Sequence, residues 1–278
     1  MKIPFKKMSG AGNDFIVVDN RDGILGDAIE RLVPVICDRT TAWGGADGFI
    51  AIVPSKSTEF EMLYFNADGS TGAMCGNGGR CAARFALTEH IVKHGHMTFD
   101  VVGSTYTADV HGTRVRLMMP PPKEIRLGHK LDVMNQRITC HYVNVETPHA
   151  IIFIEDIIDP KLDSLQELDI ETWGLAVRNH PNFSPEGANA NFAHIRKDGT
   201  VVLRTYERGV EGETLACGTG SVATAIVAHL VYNIPAPVRI ATASGETLVV
   251  DFVREEKLFR ELSLEGSAVV VAEGEFDL

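Results

Sequence analysis

The chain has 278 residues, 45 % of them apolar, and a net charge of −11 from 37 acidic and 26 basic side chains. That length suggests about two domains and buries about 75 % of the unfolded chain's surface, so a core forms without disulfide or metal staples. The acidic balance argues against nucleic acid or an anionic membrane as partner, because both reward clustered lysine and arginine.

The first element group, FKKMSGAGNDFIVVDNRDG (residues 5–23), reads as strand, glycine loop, strand and turn. GDAIERLVPVICD (26–38) has helical spacing, with Ile29, Leu32 and Val33 on one face and Asp27 placed as N-cap. GFIAIVPSKSTEFEMLYFN (48–66) reads as a hairpin, and residues 99–119 as two or three more strands, alternating in YTADVHGTRVRLMM. Pro120, Pro121 and Pro122 cannot donate to a strand ladder and mark a domain boundary. Beyond them, QRITCHYVNVETPHAIIFI (136–154) is strand-rich and LDIETWGLAVRNH (168–180) helix-like. ANFAHIRKDGTVVLRTYERG (190–209) is a hairpin turning at Asp198-Gly199.

The two halves repeat one grammar: a short helix, a hairpin, a polar loop, then Cys-Gly-x-Gly opening an alanine-rich helix. A shift of 142 residues aligns Cys75 with Cys217, Gly76 with Gly218, Gly78 with Gly220, Ala83 with Ala225 and Ala86 with Ala228. No apolar run approaches the roughly 18 residues of a membrane span. No apolar segment follows the early lysines, so no signal peptide is expected and cytoplasm is the expected compartment. The five cysteines (37, 75, 81, 140 and 217) include no Cys-x-x-Cys pair, which argues against a disulfide framework or a structural zinc site.

A thiol at a helix N-terminus meets unpaired N–H groups and the positive end of the macrodipole. Its pKa falls from about 8.5 toward roughly 3.5–7.5, and the same end binds a carboxylate where glycines let it approach. Two such ends, one per domain, would hold one carboxylate and set a sulfur on each face of the adjacent carbon. That suits proton removal and return at the α-carbon of an amino acid, with N–H dipoles stabilising the developing charge. Taken singly, either cysteine could instead be a small buried hydrophobe, the reading preferred for Cys37, Cys81 and Cys140. His90 and His94 lie a turn apart but have no third ligand in reach, and neither SGAGND nor CGTGSVAT completes a nucleotide-binding pattern.

MSGAGNDF, FNADGSTGAMCGNGGRC, PEGANANF, YERGVEGETLACGTG and LEGSAVVVAEGE occur in that order along the chain. Together they resemble the diaminopimelate epimerase family, within the cofactor-independent racemases that include proline racemase and the PhzF-type isomerases. The resemblance implies an α+β fold of two pseudo-symmetric domains. Each is a curled, mostly antiparallel, barrel-like sheet around a central helix, with the active site in the cleft between them. The final strand would return to the first domain, giving residues 1–118 plus 264–278 and residues 119–263.

By the same resemblance, Cys75 and Cys217 are the catalytic pair, and Gly76, Asn77, Gly218 and Thr219 hold the α-carboxylate. Asn13, Asn66 and Asn189 contact substrate. Arg208 grips the distal carboxylate, while Glu207 takes an ammonium or serves the reacting end. His149 orients or relays charge near a catalytic cysteine. Thr147 stands where many members carry an asparagine that contacts the distal end, and Gly48 where some carry a glutamine. The implied activity interconverts LL- and meso-2,6-diaminopimelate without PLP, other cofactor or metal, in a homodimer, feeding lysine or cell-wall synthesis. A related racemase for another amino acid, or a non-catalytic amino-acid-binding protein, are the alternatives.

Overall fold

The computed structural model describes residues 2–41, 44–72 and 74–277, the side chain of Asp27 excepted. The chain divides into two compact units, Met1–Met118 with Glu265–Leu278, and Met119–Leu264.

The first unit contains β1 (Lys2–Gly10), β2 (Asn13–Asp19), α1 (Ile29–Cys37), β3 (Gly48–Val53), β4 (Phe60–Asn66), α2 (Gly76–Thr88), β5 (His96–Val101), β6 (Ser104–His111) and β7 (Arg114–Met118). In the second lie β8 (Glu124–Val133), β9 (Gln136–Val145), β10 (Thr147–Phe153), α3 (Ile170–Arg178), β11 (Asn189–Ile195), β12 (Val201–Glu207), β13 (Gly212–Thr214), α4 (Gly218–Tyr232), β14 (Val238–Ala241) and β15 (Thr247–Glu255). The boundary falls within β16 (Leu258–Ser267), and β17 (Val269–Asp277) pairs antiparallel with β1, from Lys2 opposite Asp277 to Ser9 opposite Val269.

Both units follow one pairing series. Through β1 to β6, successive pairs are antiparallel, parallel, antiparallel, parallel and antiparallel. The same alternation runs through β9, β10, β11, β12, β14 and β15. Strands in a parallel pair are buried on both faces, so β2, β3, β10 and β11 show near-continuous burial rather than alternation.

One sheet face in each unit packs on a buried helix. α2 contacts β1, β2, β3, β4, β6 and β7, while α4 contacts β9, β10, β11, β12, β14 and β15. The sheets curl around these helices but stay open, where the resemblance implied something closer to a barrel. α4 is apolar all round, as a central helix must be, and Asn233 ends it in the left-handed conformation at φ 57°. The other faces are covered by α1, through Val33 and Ile36 against Ile16, Phe49 and Phe65, and by α3, through Trp173 and Val177 against Ile152, Phe192 and Tyr206.

Helix α1 corrects one expectation. Ala28 is its N-cap, and Asp27 belongs to the preceding 3-10 turn, Gly26–Ala28, whose tighter winding takes up the residue expected as the cap. The side chain of Asp27 lies outside the described residues. No helix among the described residues is long and apolar enough to cross a membrane.

Candidate active site

Cys75 and Cys217 are the N-caps of α2 and α4, with φ −107°, ψ 113° and φ −106°, ψ 114°. The extended backbone at each lets the chain arrive from a loop and turn straight into a helix. Gly79 N–H donates to the Cys75 carbonyl at 2.7 Å and Ser221 N–H to the Cys217 carbonyl at 2.9 Å, closing the two first turns identically. Neither cysteine side chain makes a capping hydrogen bond to its helix backbone, so the sulfurs are not spent on capping. The α4 end is crowded: a Cβ on Gly220 would lie 2.5 Å from Asn191 Oδ1 and 3.2 Å from Cys217 Sγ.

The pseudo-symmetry extends to the side chains. Asn13 begins β2 and Thr147 begins β10; Asn66 ends β4 and Glu207 ends β12. Asn77 and Thr219 are the second residues of their helices. In the first unit Asn77 Nδ2 donates to Asn13 Oδ1 at 2.6 Å, and in the second the Thr147 and Thr219 hydroxyls lie 3.3 Å apart. One polar pair thus spans from the sheet to the helix end in each unit, built of amides in one and hydroxyls in the other.

Around Cys217 the network is deeper. Its Sγ is 3.7 Å from Thr219 Oγ1, and its thiol is hydrogen-bonded to the Glu207 carboxyl. Desolvation pushes the Glu207 pKa up, opposed by bonds from Thr214 and Cys217. His149 is fully buried, and that burial, followed by the nearby Arg208 charge, drops its pKa to about 3. Asn191 Nδ2 reaches His149 Nδ1 at 3.1 Å, while Thr205 Oγ1 donates to Asn191 Oδ1 at 3.0 Å. An amide nitrogen only donates, so His149 Nδ1 accepts and its proton sits on Nε2. That Nε2 lies 3.0 Å from both the Thr147 and the Thr219 hydroxyl. His149 is therefore neutral with its proton on Nε2, set between the two threonine hydroxyls.

The remaining expected residues sit differently. Asn189 Oδ1 accepts the Arg208 backbone N–H at 2.7 Å, so this side chain braces the arginine. Arg208 Nη1 donates to the Glu186 carbonyl at 3.3 Å. Asn66 is exposed, and its Nδ2 bonds Ser70 Oγ at 3.0 Å within its own turn. Gly48 lies opposite Asn66, and a Cβ there would come within 2.7 Å of the Tyr64 ring, so a glutamine does not fit without that ring moving.

Sequence reasoning missed Asn191, Thr205 and Thr214. Asn191 carried a signal, because it follows Asn189 by two residues and so shares its strand face. Cys37 and Cys140 belong to the apolar cores, and burial pushes both thiols up to about 12. Cys81 is fully buried. Among the described residues no group of three His, Cys, Asp or Glu side chains could hold a metal.

The family model described as Diaminopimelate epimerase matches residues 5–125 and 141–271. The chain is 43 % identical to the diaminopimelate epimerase of Chlorobaculum tepidum, over 98 % of this chain and 100 % of that protein. With that of a Hydrogenobaculum species it is 39 % identical, over 96 % of each. In fold it is similar to a PhzF-family phenazine biosynthesis protein of Bacillus anthracis, with TM-score 0.73, 15 % identity and full coverage of both chains. It is equally similar to a hydroxyproline epimerase of Agrobacterium vitis, with TM-score 0.73 and 12 % identity over 100 % of this chain and 93 % of that one.

Proposed function

Because the chain belongs to the diaminopimelate epimerase family, we propose that it interconverts LL- and meso-2,6-diaminopimelate by proton transfer at one α-carbon. The observation that carries the chemistry is the pair of cysteines at equivalent helix N-caps with the same backbone angles.

Inverting an α-carbon needs a base on one face and an acid on the other. One sulfur, as thiolate, takes the α-proton and becomes a thiol, leaving the electron pair delocalised into the carboxylate. The other sulfur, as thiol, gives its proton to the opposite face and becomes the thiolate. Charge is conserved and the two sulfurs exchange roles at each turnover, so no outside oxidant, reductant or energy source is required. N–H groups of Gly76, Asn77, Gly218 and Thr219 stabilise the charge that builds on the carboxylate.

Glu207, bonded to Cys217, governs the protonation of that sulfur, and Arg208 takes the distal carboxylate as a guanidinium fork. His149 holds Thr147 and Thr219 in place. PLP independence, a cytoplasmic homodimer and a role in lysine biosynthesis belong to the same proposal and rest on family membership.

The test is exchange in deuterated water. Deuterium should appear at the α-carbon of diaminopimelate during epimerisation, and not in single-ended amino acids offered beside it. Exchange into a one-ended amino acid alone would move the reading to another racemase. Binding with no exchange into any substrate would leave a binding protein.

A further inference from the structure

Among the described residues Arg80 is the largest fully buried side chain, at 0 % exposure. Burying a guanidinium is costly unless its N–H groups are used. Here Nη2 donates to Asn77 Oδ1 at 2.9 Å, Nη1 to the Gly76 carbonyl at 3.3 Å, and Nε to the Ser267 carbonyl at 3.3 Å. Gly76 and Asn77 are the first two residues of α2, so the arginine reaches back one turn to the helix end that Cys75 caps.

The consequence is one of polarity. A guanidinium only donates, so Asn77 must turn its Oδ1 toward Arg80 and its Nδ2 away. That Nδ2 meets Asn13 Oδ1 at 2.6 Å, which in turn directs Asn13 Nδ2 onto Asp47 Oδ2 at 3.2 Å. Asp47 can only accept, and Arg39 Nη2 holds its other oxygen at 2.6 Å. Both ends of the chain from Arg80 to Asp47 demand the same orientation of the two amides between them. A flipped amide would set two oxygens, or two N–H groups, against each other along that chain.

The second unit shows why only one unit needs this device. The residue equivalent to Arg80 is Val222, fully buried and apolar. There the corresponding pair is Thr147 and Thr219, whose hydroxyls rotate and can donate in either direction. Amides have a wrong way round, and hydroxyls do not.

The geometry points to Arg80 as a positioning residue of the epimerisation. It fixes the orientation of both amides beside the Cys75 helix end, Asn77 donating to Asn13 and Asn13 to Asp47, and it holds a buried positive charge one turn from that cysteine. This inference rests on the function proposed above.

The test compares Arg80→Lys and Arg80→Met by thermal melting, by kcat and KM, and by the pH dependence of Cys75 alkylation with iodoacetamide in a Cys217→Ser background. Lysine keeps the charge but not the fork. Its kcat should fall about tenfold or more while the alkylation midpoint stays near that of the parent. Methionine keeps neither. Its kcat should fall by about 100-fold, with KM changing less, and the alkylation midpoint should rise.

Variants that melt lower yet keep parental kcat and alkylation would reduce Arg80 to a structural role and overturn the inference. If Arg80→Met does not fold, Arg80→Lys decides alone: a reduced kcat supports the role and a parental kcat ends it. Alkylation needs no substrate, so a parent enzyme that exchanges no deuterium into diaminopimelate would sink the proposed reaction while this measurement still reads the link between Arg80 and Cys75.

Discussion

The Cys217 thiol is hydrogen-bonded to the Glu207 carboxyl, a group that desolvation pushes toward its neutral form. A carboxyl that holds its proton more tightly than usual can exchange it with a neighbouring thiol, so Glu207→Gln should lower kcat/KM by about 100-fold or more. Stability should move the other way. A raised pKa means that the folded state binds the proton more tightly than the unfolded one. The contribution is fully present below the ordinary carboxylate value and is lost as pH rises through the folded pKa. Glutamine has no charge to bury, so the variant should melt higher than the parent at pH 7.5 and converge with it near pH 4. Parental turnover, or a variant less stable than the parent at pH 7.5, would contradict this reading.

His149 gives the opposite sign. Its folded pKa of about 3 lies below its ordinary value of 6.5, from desolvation first and the Arg208 charge second. The unfolded state therefore binds more protons through this window, and the stabilisation present above about pH 6.5 is lost as pH falls toward 3. By NMR the His149 ring should stay neutral, with its proton on Nε2, from pH 8 down to pH 5. His149→Gln should cost about 2 kcal/mol at pH 7.5, because Asn191 and two threonines lose their partner. The cost should shrink at pH 5, as denaturant melts at the two pH values would show. A His149 that titrates near 6.5 would refute the assignment.

How much of this could be read in advance depended on distance along the chain. Cys75, Cys217 and their glycines stand out because Cys-Gly-x-Gly recurs before two runs of small residues, and a helix start is a local event. The Glu207–Cys217 contact crosses ten residues, through the left-handed Gly209 at φ 91° and the three-residue strand β13, so no periodicity reports it. Arg80 offered a signal: a charge in the first turns of a helix, flanked by glycines, Cys81 and alanines, must be buried with partners. Strand β8 was illegible because Gly128, at φ 71°, sits in a register break between Arg126 and His129, which spoils the alternation that marks a strand. Asn66 could not be sorted by its neighbours alone, since a turn asparagine and a substrate-binding one look alike in a motif.

The two helix ends differ in how much room they leave, which Gly220→Ala and Gly78→Ala expose. A Cβ on Gly220 would press 2.5 Å from Asn191 Oδ1, the atom that Thr205 holds, and 3.2 Å from Cys217 Sγ. On Gly78 it would meet Ile50 Cδ1 and Met62 Cε at 3.3 Å, the ends of flexible side chains, and Cys75 Cβ at 3.6 Å. Gly220→Ala should cost about 1–3 kcal/mol and most of the activity, because displacing Asn191 frees the His149 ring. Gly78→Ala should be the milder change on both counts. Parallel melts and rate assays decide it, and an equal loss in both variants would show that Asn191 has room to move.

Replacing either sulfur tests the two-base account directly. Cys75 is half-buried, whereas Cys217 is buried and bonded to Glu207, so Cys75→Ser and Cys217→Ser differ structurally while facing the same chemical demand. A hydroxyl ionises too weakly to act as the base, and without a matched acid the carbanion can only regain the proton it lost. Each variant should lose about 1,000-fold or more in kcat while retaining the parental fold by circular dichroism. Residues acting as a unit are not additive, so the double variant should be little worse than either single one. In the parent enzyme one sulfur must be charged and the other protonated, so kcat/KM should rise and fall with pH around two apparent values that belong to the pair. The neutral His149 is not the source of either limb, and a His149→Gln variant that keeps the bell shape would show it. A single serine variant that turns over at the parental rate would leave one sulfur without a task, and the shared helix-cap geometry of Cys75 and Cys217 without a catalytic meaning.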